Sequence, residues 1–223
     1  MDIQDPVANR AQTKSRRRVR DLAEVFTHER EVNAMLDLVP NMFPSGADPG
    51  NTDRTFLEPA CGDGNFLVAI LARKLRYVTP ARYGRGERFE HRMLRCVASI
   101  YGIDICADNV VESRDRMRTV LDQHLATCGA TEPTDEFREA LEAILETNLV
   151  CANTLGNGAE VELVAYQPGV DATFLREWSH PLDPAAGQPS LFAPLRRRDE
   201  VPVRYSELAG QIEPTSSAYQ AAA

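Results

Sequence analysis

Phe56-Leu57-Glu58-Pro59-Ala60-Cys61-Gly62-Asp63-Gly64-Asn65-Phe66 decides the fold, because a short apolar run breaks there into a glycine-bearing turn and resumes with helical spacing. Phe56 and Leu57 close a short strand, whereas Phe66, Leu67, Ile70, Leu71 and Leu75 recur at the helical period from Asn65 onward. Gly62 and Gly64 permit positive φ and close backbone approach within the turn. A strand, a glycine turn and a helix N-terminus together form a nucleotide-type site, because free backbone N–H groups point into the crevice. The turn also carries two acids, Glu58 and Asp63, which suit a ligand with hydroxyls and a positive centre better than a pyrophosphate. Neither G-x-G-x-x-G nor a P-loop lysine is present, which counts against NAD and ATP.

The run Leu57-Glu58-Pro59-Ala60-Cys61-Gly62-Asp63-Gly64-Asn65-Phe66-Leu67 resembles the first motif of S-adenosylmethionine-dependent DNA methyltransferases. The likeness is closest to the N6-adenine group of restriction-modification systems. In that family the glycines pass under the methionine moiety and the acid orients its amino group. The resemblance therefore implies a cofactor cradle of Glu58, Ala60, Gly62, Asp63 and Gly64, with the two acids at the amino end.

Upstream, Lys14-Ser15-Arg16-Arg17-Arg18-Val19-Arg20 places five cations within seven residues. Residues 1–20 read as a basic flexible arm, either laid on phosphate backbone through Arg16, Arg17 and Arg18 or simply solvated. Between Asp21 and Val39 an apolar stripe of Val32, Met35, Leu36 and Val39 has helical spacing, with Thr27 as the expected N-cap. Glu24-Val25-Phe26-Thr27 before this helix is similar to the F-T-P element of the same family, whose phenylalanine and threonine touch the cofactor from outside the sheet. Here His28 stands in the place of the proline. Residues 40–54, with Pro40, Pro44, Gly46, Pro49 and Gly50, read as a loop.

After the first helix, Tyr77 to Glu90 is a surface excursion rich in Arg, Gly and Tyr, and Phe89 to Ser99 is helical. Ile100-Tyr101-Gly102-Ile103-Asp104-Ile105 then has the apolar character of a buried parallel strand. An acid at the tip of that strand can accept from both ribose hydroxyls of an adenosyl group, which singles out Asp104. The segment resembles the family's second motif, and by that resemblance Ile105 packs on the adenine ring. Asn109 to Leu125 reads as an amphipathic helix, and Thr134 caps another that runs to about Glu146. Asn148 to Leu155 is strand-like and resembles the third motif, which ends in Gly-Asp in the family and in Ala152-Asn153 here. An asparagine carbonyl accepts a bond from the adenine amine more weakly than a carboxylate does, so the resemblance implies binding with reduced affinity through Asn153.

The fourth family motif, [DNS]-P-P-[YFW], holds the target amine and stacks on the flipped base. No such tetrapeptide occurs in this chain, and no Pro-Cys dipeptide offers a cytosine-C5 nucleophile. Val161 to Tyr166 and Thr173 to Trp178 instead flank Gln167-Pro168-Gly169-Val170-Asp171 as a β-hairpin, anchored by Trp178. Residues 183–223, rich in Pro, Ala and Gln, read as an extended or disordered tail. Within it, Gln188-Pro189-Ser190-Leu191-Phe192 resembles the Q-x-[SD]-L-F peptide with which bacterial replication and repair proteins dock on the sliding clamp. There Gln188 would fix register while Leu191 and Phe192 fill a pocket, unless they pin the tail to its own domain.

Composition bounds the rest. A chain of 223 residues with 43% hydrophobic content buries one good core, expected over 21–182. The net charge of −8 argues against a general polyanion-binding surface. Cys61, Cys96, Cys106, Cys128 and Cys151 stand singly, as reduced thiols of a cytoplasmic protein do. Neither a signal peptide nor a membrane span is expected. Together these readings predict an α/β fold, a Rossmann-like class I methyltransferase sheet truncated or modified after its third strand, with a β-hairpin and an extended tail. The expected function is S-adenosylmethionine binding in a DNA methyltransferase-like protein of restriction-modification or phage-associated type. Either a partner supplies its base pocket, or it is a non-catalytic subunit.

Overall fold

The computed structural model describes residues 27–130, 132–156, 161–180 and 195–211. Three strands, β1 (Phe56–Glu58), β2 (Ile100–Asp104) and β3 (Leu149–Cys151), form a parallel sheet in the order β1-β2-β3. Phe56 pairs with Ile100, Glu58 with Gly102, and Asp104 with Cys151, so the three C-terminal ends lie side by side. Helices α1 (Glu29–Leu36), α2 (Asn65–Leu75), α3 (Pro80–Tyr83), α4 (Glu87–Ala98), α5 (Ala107–Thr127) and α6 (Asp135–Asn148) precede or connect these strands. The alternation is α/β and compatible with a Rossmann-like core, as the apolar periodicities predict.

Strand alternation divides the core into two parts. Ile100 belongs to the helix-side cluster with Leu67, Leu71, Met117, Leu121, Phe137 and Ile144. Tyr101 and Ile103 point the other way, onto Val161, Leu163 and Ala152. Gly102 has no room for a side chain, since a Cβ there would sit 2.8 Å from Leu67 Cδ1 and 3.0 Å from Leu149 Cδ2. The strand thus lies directly on the first turns of α2. The loop before β1 is held by Lys74, whose fully buried ammonium donates to the Thr52 carbonyl at 2.8 Å and to Ser99 Oγ at 2.7 Å. Burial pulls its pKa down to about 8, while those oxygens favour the charged form.

Several expectations are corrected. His28, not Thr27, is the N-cap of α1: its Nδ1 accepts from Arg30 N at 3.3 Å. Helix α1 stops at Leu36, and only Val32 and Leu36 of the four-residue stripe are buried, with Met35 54% exposed. Pro40, fixed at the start of a single 3₁₀ turn over Pro40–Met42, prevents the helix from running on. Helix α5 starts at Ala107, two residues before the expected Asn109. Thr134 does cap α6, through Phe137 N at 3.1 Å.

The larger correction concerns the tail. The hairpin forms as expected from β4 (Leu163–Pro168) and β5 (Thr173–Ser179), but β6 (Leu195–Arg198) and β7 (Val203–Arg204) return to pair antiparallel with β5. Asp199 accepts from Arg176 Nε at 2.9 Å and Nη2 at 3.1 Å, and both side chains are largely buried. Breaking such a pair from one side costs about 3–5 kcal/mol, enough to hold a returning segment in place. Arg176 and Arg197 also lie over the Trp178 ring, at 5.0 and 4.0 Å from its centroid. Further along, Tyr205 donates to Glu90 Oε2 at 2.6 Å, and Glu90 accepts from Thr134 N and Oγ1. Residues 195–211 are therefore part of the folded domain, against the expected boundary at 182. The expected clamp peptide, Gln188, Leu191 and Phe192, and the arm with Arg16, Arg17 and Arg18 lie outside the described residues.

This second sheet packs on α4 and α6, with Tyr166 bonded to Thr147 Oγ1 at 2.8 Å and Phe174 edge-on to His91. His91 is buried against Phe174 and Tyr205, with Nε2 3.1 Å from the Thr173 carbonyl. Burial first, then the neighbouring Arg95, pulls its pKa down to about 4 from 6.5. The folded chain thus binds this proton less readily than the unfolded one, and stability is lost as pH falls from about 6.5 towards 4. Urea midpoints are expected to fall over that window, and less steeply in His91→Gln. Equal slopes for the two proteins would contradict it. No helix among the described residues is long and apolar enough to cross a membrane.

Candidate functional site

The turn between β1 and α2 folds against the end of β2. Cys61 N donates to the Ile103 carbonyl and Gly64 N to the Cys61 carbonyl, each at 2.9 Å. Both glycines take positive φ, +55° at Gly62 and +89° at Gly64. Their surroundings differ. A Cβ on Gly62 would meet nothing within 4 Å, whereas one on Gly64 would lie 2.8 Å from Ser113 Cβ and 3.2 Å from Ser113 Cα. Gly62 therefore borders open space, and Gly64 lets α5 close on the turn. The expectation that both make room for a ligand is narrowed to Gly62. Gly64 is also the N-cap of α2, which has no side-chain cap. The first N–H groups of that helix gain no side-chain partner from the cap position.

Asp104 holds the turn to α5. Its Oδ2 accepts from Gly62 N at 2.9 Å, while Oδ1 accepts from Cys106 N at 2.8 Å and Asn109 Nδ2 at 3.1 Å. It is 9% exposed. A carboxylate offers about four acceptor positions, so these bonds leave about one on Oδ2 instead of the pair expected for two ribose hydroxyls. Asp63 is likewise engaged. Its Oδ1 pairs with Arg116 Nη1 at 2.9 Å, and the same nitrogen donates to the Asp63 carbonyl at 2.8 Å. Glu58, half-buried at the end of β1, accepts from Ala60 N at 3.2 Å, and Ala60 itself is exposed.

Other expected residues gather at the same end of the sheet. Asn65 Nδ2 donates to the Thr27 carbonyl at 3.1 Å, which brings Thr27 beside the start of α2. Phe26 lies outside the described residues. Ile105 follows β2 directly and is 47% exposed, at the same end of the sheet as Asp104. Ala152 N donates to the Asp104 carbonyl at 2.9 Å, so Asn153 follows directly beside the Asp104 end of β2. Its side-chain oxygen accepts from Leu155 N at 3.1 Å and Gly156 N at 3.0 Å, which makes it a turn residue with both lone pairs engaged locally.

Cys61 offers no nucleophile. Burial, followed by the Asp104 and Glu58 carboxylates, pushes its thiol up to about 12, so it stays protonated at neutral pH. The arrangement brings the Glu58 and Asp104 carboxylates together at the C-terminal end of the parallel sheet, with the Asp63 carboxylate turned away onto Arg116. Sequence reading missed Asn109, Ser113 and Arg116. They recur at i, i+4 and i+7 on α5, a polar stripe that faces the turn and could have been read from its period.

β1 is an edge of the parallel sheet, and the described strands after β3 build the separate antiparallel sheet. Among the described residues, nothing extends the parallel sheet beyond β1. Compared with known proteins, the chain matches no family model, no curated protein and no solved structure.

Proposed function

We propose that this chain binds S-adenosylmethionine at the β1–α2 turn and is a DNA methyltransferase-like protein of the N6-adenine type. The observation that supports the reading is the pair of acids, Glu58 and Asp104, at the C-terminal end of the parallel sheet, joined to a glycine turn where a Cβ on Gly62 would meet nothing within 4 Å. Ligands of open α/β sheets bind in that crevice, outside the carboxyl ends of the strands. The residue types present fit the group. Glu58 would meet its amino end, the remaining acceptor position of Asp104 one ribose hydroxyl, and Ile105 the adenine face. Bound there, the cofactor supplies an electrophilic methyl group on a sulfonium. The chain's contribution to transfer is alignment and exclusion of water around an attacking exocyclic amine.

A second reading is a cofactor-binding or scaffold subunit of a restriction-modification or phage-related complex. It is favoured because β1 is an edge of the parallel sheet among the described residues and the sequence holds no [DNS]-P-P-[YFW] tetrapeptide. In either case DNA contact falls to the arginine arm or to a protein partner. Two assays separate the readings: calorimetric titration with S-adenosylmethionine, and transfer of labelled methyl groups to DNA by the chain alone. Binding with transfer supports the enzyme, binding without it the subunit, and no binding removes both.

A further inference from the structure

From the geometry around the glycine turn we infer that Arg116 is a positioning residue, which fixes the turn through Asp63 in the shape that receives the ligand. The inference rests on the S-adenosylmethionine reading above for its ligand but not for its geometry. Arg116 lies in the third turn of α5, 53 residues along the chain from Asp63. One nitrogen, Nη1, grips both the carboxylate and the backbone carbonyl of that residue, at 2.9 and 2.8 Å. The carbonyl contact matters most, because it constrains the peptide between Gly62 and Gly64. Both of those glycines sit in the left-handed region and resist no rotation by side-chain bulk.

The same helix face supports the turn at two more points. Ser113 lies against Gly64, and Asn109 holds the Asp104 carboxylate that accepts from Gly62 N. Helix α5 therefore grips all three residues of the turn, Gly62 through Asp104, Asp63 through Arg116 and Gly64 through Ser113. Only the Arg116 contact is an ion pair, with side chains 21% and 10% exposed, so it is the strongest of the three that a surface-reachable residue makes. This assigns Asp63 a different place from the one its motif implies. Its carboxylate faces α5 and acts on the ligand through the shape of the turn.

The test is a double-variant cycle read by calorimetric titration with S-adenosylmethionine. Arg116→Gln and Asp63→Asn are each expected to weaken affinity about tenfold, and the double variant by no more than either, because both remove one shared contact. Arg116→Lys, which keeps the charge on a shorter reach, should recover part of the loss. Losses that multiply to about a hundredfold in the double variant would mean that each residue meets the ligand by itself, and overturn the inference. So would unchanged affinity in Arg116→Gln. Amide exchange reads the geometry without ligand: in Arg116→Gln the amides of residues 62–65 should exchange faster, while Ile103 in β2 stays protected. Unchanged exchange at 62–65 also overturns it. If the unaltered chain binds no S-adenosylmethionine, the proposed function falls, and exchange alone decides for or against the clamp.

Discussion

Asp104→Ala is expected to lower the unfolding free energy by about 3 kcal/mol, since it strands three donors around a buried carboxylate at once. Gly62 N, Cys106 N and Asn109 Nδ2 all bond to that side chain. Removing it leaves each donor to whatever water reaches the end of β2. Among the described residues the turn also loses its only side-chain hydrogen bond to β2, so ligand binding should disappear together with stability. Asp104→Asn keeps the shape but turns an amide donor towards one of the three N–H groups. A loss between that of alanine and zero follows. Urea unfolding at neutral pH measures both. A loss near 0.5 kcal/mol for the alanine variant, ordinary for a surface position, would show that the carboxylate does not organise the turn.

Gly64→Val should be at least as severe, at about 3–4 kcal/mol, because two independent penalties add. A φ of +89° is unfavourable for any side chain with a Cβ and worse for a β-branched one. The new Cβ would also overlap Ser113 Cβ at 2.8 Å and approach its Cα at 3.2 Å. Backbone cannot swing aside as a flexible side chain does, so α5 would have to move off α2. Gly62→Ala carries the φ penalty alone, since nothing lies within 4 Å of its Cβ position. The contrast between the two glycines is the readout, measured as the difference in unfolding midpoint. Similar losses at both positions would mean that the α5 contact contributes little.

The parallel sheet was legible because its signals are local. Phe56-Leu57-Glu58 and Ile100 to Asp104 are apolar runs ended by acids, and the helices between them keep their period in the sequence. The cap of α1 was misread because His28 is a rarer cap than threonine, and a threonine stands one position earlier. The ion pair between Asp63 and Arg116 joins residues 53 apart in the chain, and nothing near either one announces it. The return of the chain at β6 was hidden for another reason. Leu195-Arg196-Arg197-Arg198 has no apolar alternation, because β6 is stabilised by backbone pairing, by Arg197 on Trp178 and by the Arg176–Asp199 bridge that follows it. A strand held by such partners looks like a charged tail until the partners are known.

The separation of the glycine turn from the missing base-binding tetrapeptide remains the main point about function. Binding at the turn, as proposed, needs only residues present there, whereas chemistry on a base calls for a [DNS]-P-P-[YFW] turn that this sequence does not contain. Calorimetric titration of the full chain with S-adenosylmethionine tests this most directly. Saturable binding with one site per chain and a dissociation constant below about 1 mM is expected. A flat titration, from protein that still unfolds cooperatively, would contradict it.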